Sequence, residues 1–458
     1  MAMIARRFGF GSRNLRGHSG LEPANRDDVA AETLPAPHGT SRDLDGSEVL
    51  DDFLGNRQKR REARALIAAR AESGQPAPSM AEALREIGHS PRALQSIHET
   101  QVANRFQQAL TTPDAFFERL VWFWSNHFAV SMLAGGPLRV LGGPYEQEVI
   151  RQHVTGNFAD MLLAAVQHTA MLRYLDGRSS VGPRSRVGLS RDRGLNENLA
   201  REILELHTLG VDGGYDQEDV RSLARMLTGW RCRALASDHP GEFVFSRTWH
   251  EPGAKVLLGK TYPDDGYEQG VAALRDLAYH PSTANHLAVK LVRHFVADQP
   301  SQRLVGKLRG VFLETEGHLA AVSQALIDSP EAREAPPAKL RLPQEFIVAM
   351  LRATNVEFEP RELAGMCSVM GHPVWAPPGP DGFPDTVAHW LSPEGMKRRL
   401  DVAMAVAERV EPALEPMEVL EGVIGDIATD DTRWAVARAE SRQQAFALLF
   451  MSPEFQWR

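Results

Sequence analysis

Leu195 to Trp230 reads LNENLAREILELHTLGVDGGYDQEDVRSLARMLTGW, and the fold is decided here. At about 100° per residue, Leu199, Ala200, Ile203, Leu204 and Leu206 fall on one side of a helix. Glu197, Arg201, Glu205 and Thr208 fall on the other, flanked by Asn198 and Glu202. Asn196 is placed to cap the start, and Gly210 supplies the left-handed stop. After the turn Val211-Asp212-Gly213-Gly214, Asp216 and Asp219 form a capping pair for a second helix. Its core stripe is Val220, Leu223 and Leu227, ending at Trp230. Two helices joined by a glycine turn predict a helical body. With only Arg221 and Arg225 as basic residues, the second helix is no obvious DNA reader.

The polar side of the first helix has two readings. Glu197–Arg201 and Arg201–Glu205 are both i,i+4 and form a surface ladder, worth about 0.3–0.5 kcal/mol each. Alternatively, Asn198, Glu202 and Glu205 face a cleft. His207 lies inside the apolar arc, where a histidine is more often a satisfied core residue than a ligand.

Composition narrows the function classes. Apolar residues at 43% and charged ones at 24% are ordinary for a globular chain, and the net charge of −8 argues against a general nucleic-acid binder. The two cysteines, Cys232 and Cys367, are too few for a disulfide framework or a cysteine-based zinc site. No apolar run is long enough for a membrane span. MAMIARRFGFGSRN has an Arg pair without an apolar stretch behind it. The expected location is therefore cytoplasmic, with periplasmic co-export alongside a partner as the alternative.

Working outward, residues 1–45 read as a loosely ordered arm with one aromatic anchor, Phe8-Gly9-Phe10. The rest, 46–458, reads as a single helical body. Helices are expected at 45–72, 79–88 and 91–110, the last opening on Ser90-Pro91. PDAFFERLVWFWSNHFAVS, Pro113 to Ser131, must be a buried helix, with Asn126 on its narrow polar edge and His127 among its aromatics. Gly135-Gly136-Pro137 and Gly142-Gly143-Pro144 read as loop. Residues 177–194 form an Arg- and Gly-rich loop that is either solvated or able to bind an anion. A short β-hairpin is expected from 242–247 and 255–259, leaving His250 and Lys255 more exposed than the core histidines. In the 280–300 helix, capped by Ser282 or Thr283, Lys290 and His294 are i,i+4 neighbours. Gly371 to Asp385, GHPVWAPPGPDGFPD, reads as a lid-like loop packed down by Trp375, Phe383 and Trp390. Helices then finish the chain at about 393–409, 415–426 and 431–451.

Five segments together resemble the bacterial domain-of-unknown-function 1800 family. They are FWSNHFAVS, the 196–230 stretch, WHEPGAKVLLGKTY, HPSTANHLAVKLVRHFVAD and MGHPVWAPPGPDGFPDTVAHWLSPEG, within residues 90–458. The resemblance implies an almost wholly helical fold. It also implies a neighbour from the domain-of-unknown-function 1501 family, which resembles sulfatases and alkaline phosphatases. It brings no activity, substrate or cofactor.

Two functions follow. The first is a partner or scaffold subunit for a phosphatase- or sulfatase-like protein. The second is a hydrolase-like enzyme, metal-assisted or not. Its cleft would take Glu202 or Glu205 as base or metal ligand, His250 or His294 as acid and Arg201 as anion clamp. Asn198, Asn126, His127, Lys255 and Lys290 would contact the ligand. An enzyme predicts that these groups converge in a hollow, whereas a scaffold predicts them paired internally beside an exposed apolar patch. The expected fold class is mainly α, a large multi-helix body with a small β-hairpin insertion near 242–259.

Overall fold

Helix follows helix along the chain, and helix starts and stops are written in short polar and glycine signals. A computed structural model describes residues 7–11, 45–191 and 194–458. Asp45 caps Gly46–Glu72 by accepting from the Ser47 N–H. Asp216 accepts from Glu218 and Asp219 at the head of Gln217–Leu227, and Asp219 answers the Asp216 N–H. The expected capping box is therefore present. Further on come Gln302–Glu314, Leu319–Ile327, Pro343–Thr354, Pro360–Val369 and Pro393–Arg409. The last of these opens and closes where expected. One contiguous apolar core runs from Phe8 to Phe455. The aromatic anchor is part of it, with Phe8 at 5.4 Å from Phe116 and Phe10 at 4.9 Å from Trp122. Residues 1–6 and 12–44, the rest of the expected arm, lie outside the described residues. Among the described residues no helix is long and apolar enough to cross a membrane.

Several local expectations are corrected. Gly142-Gly143-Pro144 is not loop: it lies inside the helix Leu138–Tyr145. The glycines are there for close packing, since a Cβ on Gly142 would come within 2.7 Å of the Trp375 ring. The buried aromatic helix is Ala115–His127, stopping short of Ser131. His280, not Ser282 or Thr283, caps Pro281–Phe295, while Thr283 turns its hydroxyl inward to the Leu277 carbonyl. The last expected helix is broken into Asp430–Ala437 and Arg442–Met451.

The fold is mainly α with two small antiparallel pairs rather than the one expected. Strand β1 (Trp230–Cys232) pairs with β2 (Phe243–Phe245), and β3 (Lys255–Leu257) with β4 (Lys260–Tyr262). The two segments expected to pair with each other took other partners: the 255–259 segment pairs with the strand just after it, and the 242–247 segment reaches back to Trp230.

Candidate functional site

The site begins where the organising helix stops being an α-helix. Asn198–Glu202 is α-helical, and Ile203–His207 continues as a π-helix. Glu197, not Asn196, takes the cap position, and Asn196 one residue earlier accepts the Asn198 N–H on its Oδ1 at 2.9 Å. A π turn widens the helix and disturbs the carbonyl pairing, and such turns occur frequently at functional sites. Side chains take up the carbonyls here. Thr208 Oγ1 donates to Ile203 O at 2.6 Å, so Thr208 is buried rather than on the polar side. His286 Nε2 reaches Leu206 O at 3.0 Å and His127 Nε2 reaches His207 O at 3.2 Å. Because a carbonyl only accepts, each of these imidazoles carries its proton on Nε2.

All three histidines are neutral. Burial, then Lys290, pushes His207 down to about 3 and His286 to about 4. His127 is driven well below its ordinary value for the same reasons. His207 has both ring nitrogens buried with no hydrogen-bond partner among the described residues. Such an arrangement costs on the order of 1–3 kcal/mol per group. His127 therefore serves the π turn and is no free ligand.

The carboxylates on this turn are a different matter. Glu202 and Glu205 are both half-buried, and among the described residues nothing donates a hydrogen bond to either. Glu202 holds its proton more tightly than an ordinary glutamate because of burial, Glu205 and Asp381, against the pull of Arg201. Tyr174 is raised by burial, then by Asp381 and Glu202. Lys290 is pushed down to about 8 by burial, against the attraction of Asp385 and Asp381. Asp381 acts on Glu202, Tyr174 and Lys290 alike, so all of them share one electrostatic neighbourhood. Its members come from the Thr169–Tyr174 helix, the Asn198–Glu202 helix that leads into the π turn, the Pro281–Phe295 helix and the 371–385 loop.

The loop that brings Asp381 is clamped rather than free. Asn126 Nδ2 donates to Phe383 O at 3.0 Å, and Asn126 Oδ1 accepts the Phe383 N–H at 2.7 Å. Gly382 sits at φ +83, and a Cβ there would meet Asn126 O at 2.5 Å, so only glycine fits. Trp375 buries its ring and donates Nε1–H to Glu146 at 3.0 Å. Beneath the loop lies a cavity of about 50 Å³ bordered by Asn126, His294, Glu345, His372, Trp375 and Phe383. That is room enough for water. His294 does not face the Glu202 group as an acid. Its Nδ1 bonds Asp385 Oδ2 at 2.8 Å, and its other edge meets Arg119 at 3.4 Å. Burial would raise Asp385, but His294 and Lys339 hold it below its ordinary range. Glu345 joins this network, bridging Arg119 at 2.8 Å and Arg458 at 2.9 Å.

Other expected site residues lie elsewhere. His250 and Lys255 are not exposed; they are 4% and 6% accessible. His250 Nδ1 bonds Thr228 O at 2.9 Å, and Lys255 donates to Gln269 at 2.6 Å and to the Glu251 carbonyl. They were expected on a loop and a strand edge of a hairpin whose two segments do not pair, and they instead knit β3 to its neighbours. Asn198 is exposed. Arg201 pairs with Glu197 and Gln217, each at 3.1 Å, and among the described residues no ion pair joins it to Glu205. The ladder is thus half formed, and Glu205 is left without an ion pair among the described residues. The residues that sequence reading missed are Asp381, Tyr174, Asp385 and the Arg119–Glu345–Arg458 bridge. The only signal for the aspartates was their placement either side of Phe383-Pro384 in the aromatic loop.

Among the described residues no group of three or more His, Cys, Asp or Glu side chains is arranged to hold a metal ion. No curated protein and no solved structure matches the chain. A family model does, over residues 3–457, well beyond the 90–458 segment that carries the motifs, and its description is a protein of unknown function, DUF1800. The chain, from its buried aromatic anchor to Trp457, belongs to the DUF1800 family.

Proposed function

We propose that Glu202, Tyr174, Lys290 and Asp381, which share one electrostatic neighbourhood, form an acid–base site acting on a small polar substrate, in the manner of a hydrolase. The observation that carries this reading is Glu202: a half-buried carboxylate without a hydrogen-bond donor among the described residues, its proton affinity raised, across Asp381 from a lysine pushed down to about 8. General acids and bases work best when their pKa values lie near the working pH, and burial moves both groups that way. At neutral pH the carboxylate accepts a proton and the ammonium donates one. Glu205 and Asp381 tune Glu202, and Tyr174 offers a hydroxyl to orient the substrate.

Carboxyl carbon-13 titration of Glu202 tests the premise, and a value at or below the ordinary 4.5 refutes it. Turnover of 4-nitrophenyl esters, glycosides, phosphates and sulfates between pH 5 and 9 tests the chemistry. The expected profile is bell-shaped, with Glu202→Gln costing a hundredfold or more, on the order expected for a lost acid–base group.

A second reading is a subunit beside a phosphatase- or sulfatase-like protein. It draws on Leu133 and Val211, apolar side chains 69% and 68% exposed. Both lie in segments next to the site. A stoichiometric complex with such a protein on a sizing column, lost on Leu133→Ser, would favour it.

A further inference from the structure

Away from the Glu202 site, three elements turn arginines toward one basin of about 730 Å³. Arg57 and Arg61 come from the Gly46–Glu72 helix, Arg173 and Arg178 from the end of the Thr169–Tyr174 helix and the turn after it, and Arg231 and Arg233 from β1 and its exit. No carboxylate lines the basin among the described residues. In a chain of net charge −8, six converging guanidiniums are not a reflection of composition.

Their own bonding leaves most of this charge uncompensated. Arg233 is neutralised by Glu242 at 2.5 Å. Arg231 lies 3.6 Å over the Trp249 ring, which holds its plane fixed. Arg173 donates Nε–H to Thr169 at 3.1 Å. Burial lowers Arg173 and Arg178 pushes the same way, while the Cys232 side chain partly offsets them. Arg57, Arg61 and Arg178 form no ion pair among the described residues. Arg57 and Arg61 are also i,i+4 on one helix, a like-charge spacing that destabilises it by a few tenths of a kcal/mol. A bound anion relieves all of these at once. Planar guanidiniums recognise phosphate by paired N–H donors. The volume lies within the 300–1,000 Å³ range of small-molecule sites. Leu54 and Leu235 on its wall give an organic portion somewhere to rest.

We propose that this basin is a binding site for a small organic polyanion carrying two or more phosphate groups. Isothermal titration of the full chain with sodium tripolyphosphate tests it, at 50 and 200 mM NaCl. Saturable one-to-one binding is expected, weakened tenfold or more in Arg57→Gln/Arg61→Gln and in Arg178→Gln. Arg309→Gln, an exposed arginine elsewhere, should be without effect. The substituted residues are exposed, so unchanged thermal melting identifies the variants as folded. Co-sedimentation with phosphatidylcholine vesicles containing phosphatidylinositol bisphosphate separates the sources. If vesicles bind and the Arg57/Arg61 variant abolishes it, the same phosphate chemistry belongs to a lipid headgroup. Equal tripolyphosphate affinity in wild type and both variants, or no saturable heat at millimolar concentration, overturns the proposal.

Discussion

Replacing Lys290 with Met should make the protein more stable, and by an amount that depends on pH. Lys290 is partly buried, its ammonium has no hydrogen-bond acceptor among the described residues, and it is pushed down from 10.5 to about 8. A lysine depressed in the folded state favours folding only where it is neutral. That contribution is present above the unfolded value and is lost as pH falls through about 8. At pH 7 the whole penalty is therefore in force. At about 1.4 kcal/mol per pKa unit it amounts to about 3 kcal/mol, shrinking to about half that at pH 9.5. Unfolding entropy of about 2.1 cal/mol/K per residue over 458 residues makes each kcal/mol worth about 1 °C. Met keeps the length of the chain, and Asp385 keeps His294 and Lys339, so removal orphans no buried carboxylate there. Calorimetry of Lys290→Met should show the midpoint about 3 °C above wild type at pH 7 and about 1 °C above it at pH 9.5. A midpoint at or below wild type at pH 7, or a gain that grows with pH, would refute the idea that this amine is held under strain.

Two further outcomes follow from the neighbouring network. Glu345→Gln strands two buried guanidiniums, Arg119 and Arg458, and should cost about 3–5 kcal/mol, seen as a midpoint lowered by about 3–5 °C at pH 7. Burial works against the charged form of Glu345, but the two arginines hold it far below the ordinary range. Its stabilisation is present above the unfolded value and lost as pH falls toward the folded one, so the gap between variant and wild type should close below about pH 4. Asn126→Leu removes both bonds to Phe383, and amide exchange at Phe383 should rise about 10–100-fold, in keeping with about 1–3 kcal/mol for the two. Unchanged exchange there would mean that the loop is held by its aromatics alone.

What was legible in the sequence is what is local. Asp216 and Asp219 announce a helix start because both halves of that capping box lie within four residues. The apolar stripe of Gln217–Leu227 reads directly because one face meets the core throughout. The π turn was invisible because its stability comes from His127 and His286, each about 80 residues from the carbonyl it serves. Reading 195–209 as a uniform 100° helix put Thr208 on the polar side, whereas the wider turn swings it inward to Ile203. Gly142-Gly143-Pro144 looked like a loop because glycine has two uses, turning and close packing, and only the position of Trp375 tells which one applies. His250 and Lys255 were misplaced by a strand pairing that a nearer partner took over. Of the Glu202 group, the acidic residues on the helix and Lys290 were legible as polar residues at the edge of apolar stripes. Asp381 was not, because a Pro- and Gly-rich loop carries no periodicity from which to infer what its side chains face.

The energetics of the site point in one direction. Three features around the π turn work against stability: the unpartnered ring of His207, the raised carboxyl of Glu202 and the depressed amine of Lys290. A fold indifferent to this hollow could shed all three by keeping the helix regular and placing apolar side chains there. The stabilising groups, in contrast, stand one layer further in. Arg119, Glu345 and Arg458 bridge one another, and His294 and Lys339 fix Asp385. That inner layer holds the Pro281–Phe295 helix and the base of the 371–385 loop in place. Lys290 rides on that helix, four residues from His294, and Asp381, which raises Glu202, stands four residues from Asp385 on that loop. Unpartnered or shifted groups set against a network of buried ion pairs are the arrangement expected where side chains must be held ready for a ligand rather than for each other.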